Sequence, residues 1–110
     1  MSDVTLPAQA QRMVDAINDA DTDAFVEAFS EDGYVDDWGR VLSGPEGLRS
    51  WADSDAIGAG ARMTVLDCHV ERDIVRTRFD WRSSVFNGQS DGIFELDGER
   101  LASFTIPRHD

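Results

Sequence analysis

The chain has one cysteine, Cys68, so it forms no internal disulfide, and nothing in its cysteine usage points to an oxidising compartment. Basic side chains are scarce, 10 against 22 acidic ones, for a formal net charge of −12. Such a surface repels the phosphates of nucleic acids and of anionic membranes, so neither is expected as a partner. No apolar run approaches the roughly 18 residues that span a bilayer. The first residues, MSDVTLPAQAQ, lack the basic start and apolar stretch of a signal peptide. Histidine is limited to His69 and His109, with no Cys, Asp or Glu at ligand spacing, so no metal site is expected. Gly58-Ala59-Gly60-Ala61 has neither the preceding strand nor the following helix of a dinucleotide loop. No phosphate loop or Ser-His-Asp set is present, and no cofactor is expected. These absences leave a soluble, cytoplasmic protein as the default.

What is present suits one domain over residues 1–110: the length is ordinary for a domain, and 41% hydrophobic residues can fill one core. The first third reads as helical. Met13, Val14, Ile17 and Ala20 recur at three- and four-residue steps after Pro7, which suits a first helical turn. Asp21 or Thr22 can cap a second helix carrying Phe25, Val26, Ala28 and Phe29, with Gly33 as its stop. Tyr34 to Trp38 then read as a short strand, Gly39-Arg40 as a turn and Val41-Leu42 as a second strand. Ser43-Gly44-Pro45-Glu46 is helix-start chemistry, with Leu48, Trp51 and Ala52 as the buried stripe behind it.

The rest is strand. Residues 62–72 alternate, with Leu66, Cys68 and Val70 on one face and Met63, Val65 and Asp67 on the other. Residues 74–85 place Val75, Thr77, Phe79 and Trp81 on one face, and Arg76, Arg78 and Arg82 on the other, solvated or subunit-facing. Asn87-Gly88 and Asp97-Gly98 are hairpin-turn signals. Helices first and long antiparallel strands afterwards mean α+β, with helices on one face of a curved sheet. The pair Asp36-Asp37, between Tyr34 and Trp38, raises the functional question. Alternation turns only one of two adjacent strand residues inward, so at most one of these carboxylates reaches an interior.

The segments Gln11–Asn18, Asp21–Phe25, Phe29–Asp32 and Val35–Asp37, with the helix entry Ser43-Gly44-Pro45-Glu46-Gly47-Leu48, resemble the nuclear transport factor 2-like superfamily. That superfamily includes ketosteroid isomerases and polyketide cyclase-like proteins. The resemblance runs from about Ala8 to Ile106 and implies a cone-shaped α+β barrel, three N-terminal helices packed on a curved, mostly antiparallel sheet. It also implies a homodimer through the sheet. In the isomerases the strand after the second helix carries an Asp that moves a proton beside a carbonyl, and the matching residue is Asp37. Two partners of that Asp are missing: the oxyanion Tyr position holds Met13, and the second donor position falls near Gly92, with Asp91 facing the other way. Ketosteroid isomerase activity proper is therefore not expected. Arg40, Tyr34 or His69 would have to replace the lost donors.

The expectation is a small apolar molecule held in the cone, with Asp37 as general base of an isomerase- or cyclase-like reaction on a ketone- or polyketide-like ligand. Tyr34, Trp38, Trp51, Phe79, Trp81, Phe94 and Phe104 are the expected lining, although each aromatic can equally pack a core. His69 with Asp67 reads as an acid–base pair or a surface pair, and Cys68 as a buried structural thiol. The alternative is a non-catalytic binding or dimerisation module whose cone is closed by Met13, Phe79, Trp81 and Phe104. A cavity of roughly 300 Å³ or more reached by Asp37 separates the two.

Overall fold

The computed structural model describes residues 5–108. Three helices, α1 (Ala8–Asn18), α2 (Thr22–Glu27) and α3 (Gly44–Asp55), pack on one six-stranded sheet. Its strands are β1 (Phe29–Asp37), β2 (Arg40–Ser43), β3 (Arg62–Glu71), β4 (Ile74–Arg82), β5 (Asn87–Asp97) and β6 (Arg100–Ile106). Their spatial order is β2-β1-β6-β5-β4-β3, antiparallel throughout except for the parallel pair β1–β6. The expected α+β arrangement holds. The sheet is curved but open, ending at β2 and β3 rather than closing into a barrel.

Apolar periodicity decides what each helix buries. Met13, Val14 and Ile17 of α1, Phe25 of α2 and Leu48, Trp51 and Ala52 of α3 all face the sheet's inner side. There they meet Val35, Val75, Phe79, Trp81, Phe94, Leu101 and Phe104 in one core. The Asp21 side chain caps α2 by accepting from the Ala24 N–H at 3.1 Å. Ser43 precedes α3 without a side-chain cap bond, so Pro45 and the first-turn Glu46 carry that helix start.

Five local readings change. The second helix ends at Glu27, and Phe29 already belongs to β1. Gly33 is not a helix stop: it lies where the β1–β6 register shifts, and a Cβ there would stand 2.7 Å from Cβ of Phe29. The β1–β2 turn is Trp38-Gly39, with φ of +58° and +91°, not Gly39-Arg40. Asn87-Gly88 pairs with Arg82 and Trp81 as the start of β5, and the chain reverses instead over 83–86, closed by the Ser83 N–H to Phe86 C=O bond of 3.0 Å.

The fifth concerns β3. Its register against β4 slips between Val65 and Asp67, so the extra residue, Leu66, resets the alternation. Met63, Val65, Cys68 and Val70 then pair with Trp81, Phe79, Thr77 and Val75 on the inner face, whereas Asp67 and His69 pair with Arg78 and Arg76 on the outer one. Cys68 is half-buried rather than sealed.

Candidate functional site

Between α3, the end of β1 and the β4–β5 hairpin lies a cleft of about 320 Å³. Trp51, Phe79, Trp81, Ser90 and Ile106 wall its interior, and Asp37, Asp55, Trp38, Val85 and Phe86 border it. Alternation in β1 explains why Asp37 reaches this space. Val35 is fully buried, and Asp37, two residues on, shares its face beside Ile106 of β6. Asp36 points the other way, and its Oδ1 accepts from the Gly39 N–H at 2.8 Å, holding the turn.

Asp37 is 23% exposed. The Trp51 indole Nε1–H donates to its Oδ2 at 3.1 Å, and an Arg40 Nη2 stands 3.6 Å from the same oxygen. Arg40 is bound more closely to Asp55, with Nη2 donating to Oδ2 at 2.7 Å. Asp55 follows Trp51 by four residues, so one face of α3 presents both the indole and the second carboxylate. The result is two partly buried carboxylates sharing one guanidinium at the edge of an aromatic cavity. Trp51 lies 5.7 Å from Phe25, 5.9 Å from Trp81 and 6.4 Å from Phe104 between ring centroids, and this packing fixes the donor that holds Asp37.

The structure thus brings Asp37, Trp38, Trp51, Phe79 and Trp81 to one cleft. It does not bring Tyr34, Phe94 or Phe104 there. Tyr34 alternates with Val35 and faces away from the core side, while Phe94 and Phe104 stack on each other at 4.7 Å inside the core. Sequence reasoning missed Asp55, Val85, Phe86, Ser90 and Ile106. Helical spacing from Trp51 carried a signal for Asp55, and strand alternation with Phe94 and Phe104 carried one for Ser90 and Ile106. Val85 and Phe86 carried none, since their place depends on a four-residue turn organised by Ser83, whose Oγ accepts from the Val85, Phe86 and Trp81 N–H groups.

Met13 is completely buried in the core. A side chain at position 92 has no room, because a Cβ on Gly92 would stand 2.8 Å from ring carbons of both Phe79 and Phe104. Asp91 faces outward and takes a 2.9 Å bond from Arg78. Of the possible replacement donors, Arg40 stands beside Asp37, whereas Tyr34 and His69 lie elsewhere. His109 lies outside the described residues. The Asp67 carboxylate accepts from the Cys68 backbone N–H. Burial, and then the charge of Asp67, raise the Cys68 thiol above its ordinary pKa, which keeps it protonated and a poor nucleophile. Among the described residues no group of three or more His, Cys, Asp or Glu is placed to hold a metal, and no helix is long and apolar enough to cross a membrane.

Known structures share this architecture. A proposed polyketide cyclase from Sinorhizobium meliloti is 27% identical, with a TM-score of 0.80 over 92% of this chain and 94% of that one. The Δ5-3-ketosteroid isomerase of a Mycobacterium species superposes with a TM-score of 0.80 at 13% identity, covering 93% of this chain and 91% of its own. A Catenulispora acidiphila protein with a ketosteroid isomerase-like fold, crystallised with trimethylamine, gives 0.78 at 17% identity over 94% and 87%. No curated protein sequence matches. The model of the SnoaL-like domain matches residues 10–104, and the chain belongs to that family, within the nuclear transport factor 2-like superfamily.

Proposed function

We propose that this chain binds a small, largely apolar molecule in the cleft beside α3 and, in its catalytic form, uses Asp37 as general base in isomerase- or cyclase-like chemistry. The observation that carries this reading is the coincidence of one open aromatic cavity, about 320 Å³, with a carboxylate held at its edge by the Trp51 indole. That volume is in the range of small-molecule sites, which pair apolar walls with a few placed polar groups. A module whose cone is filled would lack it. The likeness to the Sinorhizobium protein supports cyclase-like chemistry, and the Catenulispora neighbour is a precedent for a small ligand on this fold. Ketosteroid isomerisation proper is not proposed, because buried Met13 and crowded Gly92 supply no donor to an enolate.

A thermal-shift screen against apolar ketones, phenols, amines and aromatic polyketides tests the binding. At about 100 times its dissociation constant a ligand adds roughly 2.7 kcal/mol of stability, a shift of several degrees in a domain of this size. Asp37→Asn keeps an acceptor for Trp51, so stability should stay within about 1 kcal/mol of the parent while any turnover found is abolished. Unaltered turnover in that variant removes Asp37 from the mechanism.

A further inference from the structure

The polar groups bordering the cleft are unequally committed. Three side-chain donors are already spent on protein acceptors: Trp51 Nε1–H on Asp37 at 3.1 Å, Trp81 Nε1–H on Ser83 Oγ at 3.2 Å, and Ser90 Oγ–H on the Asp91 carbonyl at 3.3 Å. The acceptors are in surplus. Two carboxylates face one guanidinium: Asp55 takes Arg40 on Oδ2 at 2.7 Å and the Ser54 hydroxyl on Oδ1, whereas Arg40 stays at 3.6 Å from Asp37, beyond hydrogen-bond reach, and leaves the Asp37 Oδ1 to the cleft side. Arg40 is itself 55% exposed, so water can take over its solvation when it moves aside. A ligand carbonyl entering here finds few donors, and an anion meets two negative charges. A cation finds the reverse.

We propose that the ligand is an apolar amine in its protonated form, its ammonium lying between Asp37 and Asp55 and its body among the indoles of Trp38, Trp51 and Trp81. An ammonium supplies only donors, where the site offers spare acceptors. Electron-rich ring faces attract it further, and the net charge of −12 draws cations toward the molecule. This inference rests on the cleft being the ligand site. It deepens the binding part of that reading rather than the catalytic part, since an ammonium paired to Asp37 weakens it as a base.

The test is calorimetric titration at neutral pH with phenethylamine, cationic, and acetophenone, neutral and of similar size. Phenethylamine is expected to bind about tenfold more tightly or better, and to weaken with added salt while acetophenone does not. Asp37→Asn and Asp55→Asn should each remove most of that advantage over acetophenone, with circular dichroism verifying the fold of each. Arg40→Gln, which removes the competing cation, should tighten phenethylamine. Equal affinity for the two probes overturns the cationic class and leaves the cleft standing. Acetophenone binding more tightly does the same. Saturation by neither probe at millimolar concentration overturns the cleft as a ligand site, and this inference with it.

Discussion

A methyl group added at Gly92 would lie 2.8 Å from ring carbons of both Phe79 and Phe104. Those rings are buried and packed 6.0 Å apart, so neither can turn away without disturbing its neighbours. Gly92→Ala should therefore lower unfolding free energy by about 1–3 kcal/mol, read from urea denaturation. Parent-like stability would mean that the rings yield, and the steric reason for a missing donor at this position would go. At the same scale, Asp36 and Asp37 are chemically identical neighbours with different tasks. That only one could turn inward was legible from alternation. Which one was not, because the face depends on where the strand's register begins, and the β1–β6 register is shifted after Phe29.

The Trp38-Gly39 turn shows how an element places a site residue. Trp38 holds a φ of +58°, a conformation that non-glycine residues adopt at a cost, and Asp36 Oδ1 ties the turn by accepting from Gly39. This geometry puts the Trp38 ring at the cleft's edge. Asp36→Ala should cost about 1 kcal/mol of stability, seen as a lowered thermal midpoint, while any chemistry at Asp37 persists. No change in the midpoint would show that Trp38 and Gly39 hold the turn without help. Elements also account for the misread strand faces. Periodicity placed β3 and the body of β4, which ends at Arg82 rather than running on to Val85, yet one extra residue at Leu66 inverted the phase of β3 beyond it. A bulge has no composition of its own, so alternation alone passes over it.

For the whole molecule, 22 acidic against 10 basic side chains make self-repulsion a standing cost of compactness. The ion pairs that offset it, such as Arg49–Asp23 and Arg82–Asp80, join well-exposed partners on at least one side and contribute little. Raising sodium chloride from about 0.01 to 0.5 M should therefore raise the thermal midpoint, because screening weakens the repulsion more than it weakens a few surface pairs. A falling midpoint would mean that local pairs outweigh net charge. By itself the sequence determined the buried stripes of α1 as far as Ile17 and of α3, the inner face of β4, the α+β class and the nomination of Asp37, since each follows from local periodicity or from a resemblance carried by short segments. The open edge of the sheet, the pairing of Arg40 with Asp55, the four-residue turn carrying Phe86 and the exclusion of Phe94 and Phe104 from the cleft were decided only by the tertiary structure. Each depends on residues far apart in the chain coming within a few ångströms, and that distance is set by packing the whole core.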